Sequence, residues 1–131
     1  MNTKYKTPIL LIEDNSGDVE LIKFYLEEAG MKYELHHAET LFEGLETLQR
    51  IPIDLVLMDL NMPKKNGLDT TLEFRTWEQA NNKTPTPIIG LTAHALNDDK
   101  NKCLKAGMNE YLSKPITRKD LVDKLRLFLS L

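Results

Sequence analysis

The chain has one cysteine, Cys103, so no internal disulfide braces it, and such sparing use of thiols fits a reducing compartment. No apolar run approaches the roughly 18 residues that a bilayer-spanning helix needs. The opening stretch Met1-Asn2-Thr3-Lys4-Tyr5-Lys6-Thr7-Pro8 lacks the apolar core of a signal peptide. Membrane insertion is therefore not expected and a cytoplasmic location is. Glycine and proline number six each, and no Gly/Ser linker, repeat or low-complexity tract divides the chain. Neither sign of charge dominates, and a net charge of −3 argues against general binding to nucleic acid. What is present is the composition of an ordinary soluble domain, 41% apolar and 28% charged over 131 residues. A single domain over 1–131, with a core at about 8–129, is expected to bury roughly two-thirds of its unfolded surface.

Short apolar runs recur, and each stops at a polar residue. Ile9-Leu10-Leu11-Ile12 stops at Glu13-Asp14, Leu55-Val56-Leu57-Met58 at Asp59, and Ile88-Ile89-Gly90-Leu91 at Thr92. Tyr111-Leu112-Ser113 leads into Lys114-Pro115, and a weaker strand is expected at Tyr33 to His36. Runs without polar alternation suit strands covered on both faces, as in a parallel sheet between layers of helices.

Amphipathic stretches separate the runs. Residues 16–29 carry Val19, Ile22, Phe24 and Leu26 at helical spacing, with Asn15 or Ser16 as N-cap and Gly30 as the stop. Thr40 caps a second helix through Leu41, Gly44, Leu45 and Leu48, ending before Pro52. A third starts after Asn66-Gly67 and runs through Leu68, Leu72 and Arg75 to about Ala80. A fourth has Asp98-Asp99 near its start, Lys102 and Lys105 near its end and Gly107 beyond, complementing the helix dipole. Thr117 caps a fifth, whose Leu121, Val122, Leu125, Phe128 and Leu129 face inward. Five strand–helix pairs predict an α/β, doubly wound, five-stranded parallel sheet in the order 2-1-3-4-5. That order makes strands 1, 3, 4 and 5 contiguous, and ligands bind outside the C-terminal ends of such strands.

With Glu13, Asp14 and Asp59 close together, mutual repulsion would force them to take up protons or to hold a cation. An all-oxygen donor set selects Mg2+ or a similar hard divalent ion. A carboxylate is a capable nucleophile towards phosphorus, and phosphoryl transfer asks the protein mainly for neutralisation and in-line positioning. Lys114 supplies positive charge and the Thr92 hydroxyl a donor. Asp59 is the candidate nucleophile, standing alone between an apolar strand and the loop Leu60-Asn61-Met62-Pro63.

Together, Glu13-Asp14-Asn15, Asp59-Leu60-Asn61-Met62-Pro63, Gly67, Leu91-Thr92-Ala93 and Tyr111-Leu112-Ser113-Lys114-Pro115-Ile116 resemble the signature of response-regulator receiver domains. The resemblance implies a flavodoxin-like fold and an Asp59 that accepts a phosphoryl group from a histidine kinase or a histidine phosphotransfer protein. It implies that Asp14, Asp59 and the Asn61 carbonyl bind Mg2+, with Glu13 helping through water. Lys114 would pair with the phosphoryl group, across a Lys114–Pro115 bond of the cis form. It further implies a switch, in which Thr92 moves towards the phosphoryl oxygens and Tyr111 rotates into the vacated space. The surface of the fourth helix, fifth strand and fifth helix would then change its partner, a second copy of the chain among the candidates. In this reading phosphorylation and dephosphorylation are self-catalysed, and the domain is not a turnover enzyme.

Arg75-Thr76-Trp77-Glu78, the run from Thr86 to Leu96, and Cys103-Leu104-Lys105-Ala106-Gly107-Met108 are similar to receivers of hybrid sensor kinases. The chain is thus either a stand-alone regulator, which its own Met1 favours, or an excised receiver. Gly90 stands where alanine is commoner in the family. The competing function is a Mg2+-dependent phosphohydrolase with an aspartyl-phosphate intermediate. Such enzymes place a second acid two residues after the nucleophile, where this chain has Asn61, and an amide cannot relay the proton. A flavin-binding role lacks a phosphate loop after the first strand. His94 is open between gating water and a plain loop residue, and Tyr111 between switch and fixed packing. His36 and His37 are read as structural or exposed, and Cys103 as filler on the inner face of the fourth helix.

Overall fold

Five strands alternate with five helices along the chain: β1 (Thr7–Ile12), α1 (Ser16–Glu28), β2 (Tyr33–Ala38), α2 (Leu41–Arg50), β3 (Leu55–Asp59), α3 (Gly67–Ala80), β4 (Ile88–Thr92), α4 (Asn97–Ala106), β5 (Glu110–Ser113) and α5 (Arg118–Phe128). The structure is a computed structural model that describes residues 6–62, 67–93 and 97–129, apart from the side chains of 97–99. The strands form one sheet in the order β2-β1-β3-β4-β5, and every neighbouring pair is parallel. This is the doubly wound, flavodoxin-like order that the sequence predicts.

Alternate residues of the central strands feed two cores. Ile9 and Leu11 of β1 join Val19, Ile22 and Leu26 of α1 and Leu121 and Leu125 of α5 on one face. Leu10 and Ile12 join Leu41 and Leu48 of α2, Phe74 of α3 and Cys103 of α4 on the other. Strands buried on both sides cannot alternate with polar residues, which is why β3 and β4 are buried throughout. Gly44 lets α2 settle onto β1, because a Cβ there would run into the Ile12 side chain.

The caps lie where the sequence places them. The side chains of Asn15, Thr40 and Thr117 accept from the backbone N–H groups of Asp18, Glu43 and Asp120. Gly107 ends α4 at a φ of +105°, a conformation that a side chain would strain.

Three expectations are corrected. β2 extends two residues past His36 to Ala38, because Leu11 and Ile12 of β1 keep pairing with His37 and Ala38. Phe24 is 55% exposed rather than inward, since it falls off the stripe set by Val19, Ile22 and Leu26. α3 turns Gly67, Thr70, Thr71, Phe74 and Glu78 inward and leaves Leu72 exposed.

Registers bring the C-terminal strand ends to one edge: Ile12 pairs with Met58, Asp59 with Leu91 and Thr92 with Ser113. Glu13, Asp59, Thr92 and Lys114 therefore converge, while β2 lies at the far edge of the sheet. Pro63, Asn66, His94 and the side chains of Asp98 and Asp99 lie outside the described residues.

Candidate functional site

Glu13 follows directly on β1, and its N–H donates to the Ala38 carbonyl at 3.0 Å. That bond turns the Glu13 side chain into the protein, where it is fully buried. Asp14, one residue on, is exposed. Asp59 closes β3 with 4% of its surface accessible. Carboxylate oxygens of Glu13, Asp14 and Asp59 all lie within 4.8 Å of one another. Among the described residues these three are the one such cluster of metal-ligating side chains.

Lys114 enters the cluster from the end of β5. Its N–H donates to the Thr92 carbonyl at 2.8 Å, and the peptide bond to Pro115 is cis. Nζ lies 2.8 Å from Glu13 Oε1, 3.2 Å from Asp18 Oδ2 and 3.5 Å from Asp59 Oδ1. Burial is the largest influence on Lys114 and acts to lower its pKa. The hydrogen bond that it donates to Glu13, the charge of Asp59 and the remaining contacts outweigh it, so the ammonium titrates above its ordinary value.

Glu13 is pushed up to about 7, chiefly by burial and further by the neighbouring Asp59 carboxylate, against the opposing pull of Lys114. One ammonium faces the three clustered acids, so with all of them ionised the pocket carries an excess of negative charge. Three oxygen donors at this spacing suit a hard divalent cation rather than a soft one. The residues present fit Mg2+.

The loop after β3 is tied back to the site. Asn61 donates its backbone N–H to Asp59 Oδ1 at 3.0 Å and accepts the Ala93 N–H on its side-chain Oδ1 at 3.2 Å. Thr92 is 3% exposed at the end of β4, the strand that lies between β3, which ends in Asp59, and β5, which leads to Lys114. Tyr111 lies half-buried on β5, with Lys100 Nζ 6.0 Å from its ring centroid.

Residues 9–126 match the family model of the response regulator receiver domain. The chain belongs to that family.

The receiver is 38% identical over 115 residues to the sensor histidine kinase GacS of Pseudomonas protegens. That match covers 88% of this chain but only 12% of the kinase. The receiver domain of the sensor histidine kinase PA1611 of Pseudomonas aeruginosa, solved with a magnesium ion in its active-site cleft, is 35% identical. It superposes with a TM-score of 0.79 over 95% of this chain and 98% of that one. A chain of the co-crystal of Saccharomyces cerevisiae Ypd1, a histidine phosphotransfer protein, with the receiver domain of Ssk1 is 28% identical. Its TM-score is 0.83, covering 94% of this chain and 88% of that one.

The receiver's acidic pocket thus gathers Glu13, Asp14, Asp59, Asn61, Thr92 and Lys114. Two contacts escape sequence reasoning. Asp18, in the first turn of α1, reaches Lys114 directly. His37 Nε2 lies 2.7 Å from the Glu13 carbonyl oxygen and donates to it in the tautomer that carries the hydrogen there. Asp18 could have been found from its place one turn beyond the acidic pair, whereas His37 on the edge strand carries no such signal.

Proposed function

We propose that this chain, as a single domain over 1–131, is the phosphoryl-accepting receiver of a two-component or phosphorelay system, with Asp59 as acceptor. The observation that carries the reading is the setting of Asp59. It is 4% exposed, with an ammonium 3.5 Å away and two further acids beside it. A carboxylate oxygen of Asp59 attacks phosphorus in line on a phosphohistidine. The P–N bond breaks as the P–O bond forms, and the departing imidazole recovers a proton. Lys114 offsets the charge on the phosphoryl oxygens, and the Thr92 hydroxyl donates to one of them. Glu13, Asp14, Asp59 and the Asn61 carbonyl are the groups that would hold Mg2+, which supplies further neutralisation of the phosphoryl oxygens when bound.

The donor is a histidine kinase or histidine phosphotransfer protein. The likeness to GacS and to a chain of the Ypd1 complex supports that class of partner. Phosphorylation adds roughly −1.5 to −2 charges at Asp59. Thr92 and Tyr111 carry that change to the surface of α4, β5 and α5, where a protein partner or a second copy docks. The receiver works in the cytoplasm and binds neither membrane nor nucleic acid. No helix among the described residues is long and apolar enough to cross a membrane. Asn61, two residues beyond the acceptor, favours a switch over a phosphohydrolase because its amide cannot act as general acid and base.

Incubation with acetyl phosphate and Mg2+ should give a hydroxylamine-labile adduct. The adduct should vanish in Asp59→Asn and persist in Asp69→Asn, whose parent residue is exposed on α3. Label that survives Asp59→Asn, or steady turnover of many phosphate esters, would overturn the reading.

A further inference from the structure

Lys114 is shared among three carboxylates, and the proposed acceptor is the most distant of them. Glu13 and Asp18 accept hydrogen bonds from Nζ at 2.8 and 3.2 Å, while Asp59 Oδ1 stands at 3.5 Å. An ammonium has three hydrogens to give, and two of them are engaged away from Asp59.

Asp18 is the third residue of α1, with its N–H bonded to the capping Asn15 side chain at 3.0 Å. An acid in a first turn is ordinarily explained by the helix dipole alone. Here its carboxylate also leaves the helix to meet a lysine 96 positions later in the chain. Its side chain is 34% exposed whereas that of Glu13 is fully buried, so Asp18 holds Lys114 from the rim of the pocket.

We infer that Asp18 is a positioning residue: it restrains the Lys114 ammonium away from Asp59 and thereby limits how readily Asp59 is phosphorylated. The inference rests on the receiver reading given above. A phosphoryl group on Asp59 accepts from the Lys114 ammonium, and Nζ can approach it closely only by giving up its contact with Asp18 for one with a phosphoryl oxygen. Asp18 competes for the ammonium and also repels the incoming anion, so both effects act in one direction. Solvent screens a half-open carboxylate, which makes the restraint a tuning device worth about two- to fivefold in rate.

The test is the initial rate of labelling by acetyl phosphate at saturating Mg2+, for the wild type and for Asp18→Asn, Asp18→Glu and Glu20→Gln. Glu20 lies two residues along the same helix with its side chain 73% exposed, so its variant controls for net charge. Asp18→Asn should label about two to five times faster than wild type, with the ratio shrinking towards one in high salt. Asp18→Glu should restore the slow rate and Glu20→Gln should match wild type. A purely structural Asp18 would alter melting temperature without this salt-dependent ratio. Equal or slower labelling of Asp18→Asn, or equal acceleration by Glu20→Gln, overturns the inference and leaves the receiver reading intact. A wild-type protein that takes no label overturns both.

Discussion

Lys114 Nζ approaches Glu13 Oε1 to 2.8 Å, pairing a one-fifth-exposed lysine with a fully buried acid. Despite that partner, burial first and the Asp59 carboxylate second push Glu13 up to about 7 from its ordinary 4.5. Between those two values the folded protein therefore keeps a proton on Glu13 that the unfolded chain has released. That contribution to stability is fully present below about 4.5 and is lost as pH rises through about 7.

For metal-free protein the expected outcome is a melting temperature that falls between those pH values, with a loss of about 3 kcal/mol at most from this group. Glu13→Gln, which cannot ionise, should flatten the profile over the same window. Thermal melts in chelator across the pH range check it. A wild-type profile that rises through the window, or one unchanged in Glu13→Gln, contradicts it.

The same proton competes with metal. Divalent cations bind ionised carboxylates, so their uptake should release protons and should stabilise the fold more at pH 8 than at pH 5.5. At 100 times its dissociation constant Mg2+ should add about 2.7 kcal/mol at the higher pH. Asp14→Asn and Asp59→Asn should each sharply reduce this shift, because each removes one of three clustered oxygen donors. Calorimetric titration with MgCl2 in two buffers of different ionisation enthalpy measures both affinity and proton release. An undiminished affinity in Asp14→Asn counts against its assignment as a ligand.

Much of this was legible from the sequence because the fold buries its central strands on both faces. An unbroken run as short as Leu55-Val56-Leu57-Met58 suits a strand covered on both faces, and the polar residue ending it marks the strand end outside which ligands bind in such sheets. α3 was harder. Thr71 is buried yet polar, and its hydroxyl donates to the Gly67 carbonyl one turn back at 2.8 Å, so its outward surface behaves as apolar. Glu78 is buried because Arg75, one turn back, and the Thr86 N–H satisfy its carboxylate, and Arg75 is itself anchored far along the chain at Gly107 and Asn109, which no local period records. The Asp18–Lys114 contact joins two ends of the chain, and only the assembled sheet brings them together.

Gly90 occupies a place where a Cβ would come within 2.9 Å of Met108 Sδ and 3.1 Å of Leu60 Cδ1. The Met108 sulfur therefore fills the volume of a missing methyl on β4. Gly90→Ala should destabilise the protein by about 1 kcal/mol through overpacking. Combined with Met108→Val, it should cost less than the two single changes summed, because each relieves the other. Urea denaturation of the four proteins gives the coupling directly. Strict additivity would show that the two side chains do not share this space.

At the opposite end of the sheet, Glu78 is 2% exposed and accepts from Arg75 Nη1 and from the Thr86 N–H, each at 2.7 Å. Arg75 in turn donates from Nε to the Gly107 carbonyl and from Nη2 to Asn109 Oδ1, both at 2.9 Å. One guanidinium thus ties the end of α3 to the loop that follows α4. Removing it strands a buried carboxylate, so Arg75→Ala should cost about 3 kcal/mol or more. Glu78→Gln keeps an acceptor for Thr86 and should cost less. Both variants retain the acidic pocket, which lies at the other strand ends, and should still take the hydroxylamine-labile label when folded. A loss below about 1 kcal/mol in Arg75→Ala would show this pair to behave as an ordinary exposed ion pair, and loss of labelling in folded protein would show that the network reaches the pocket.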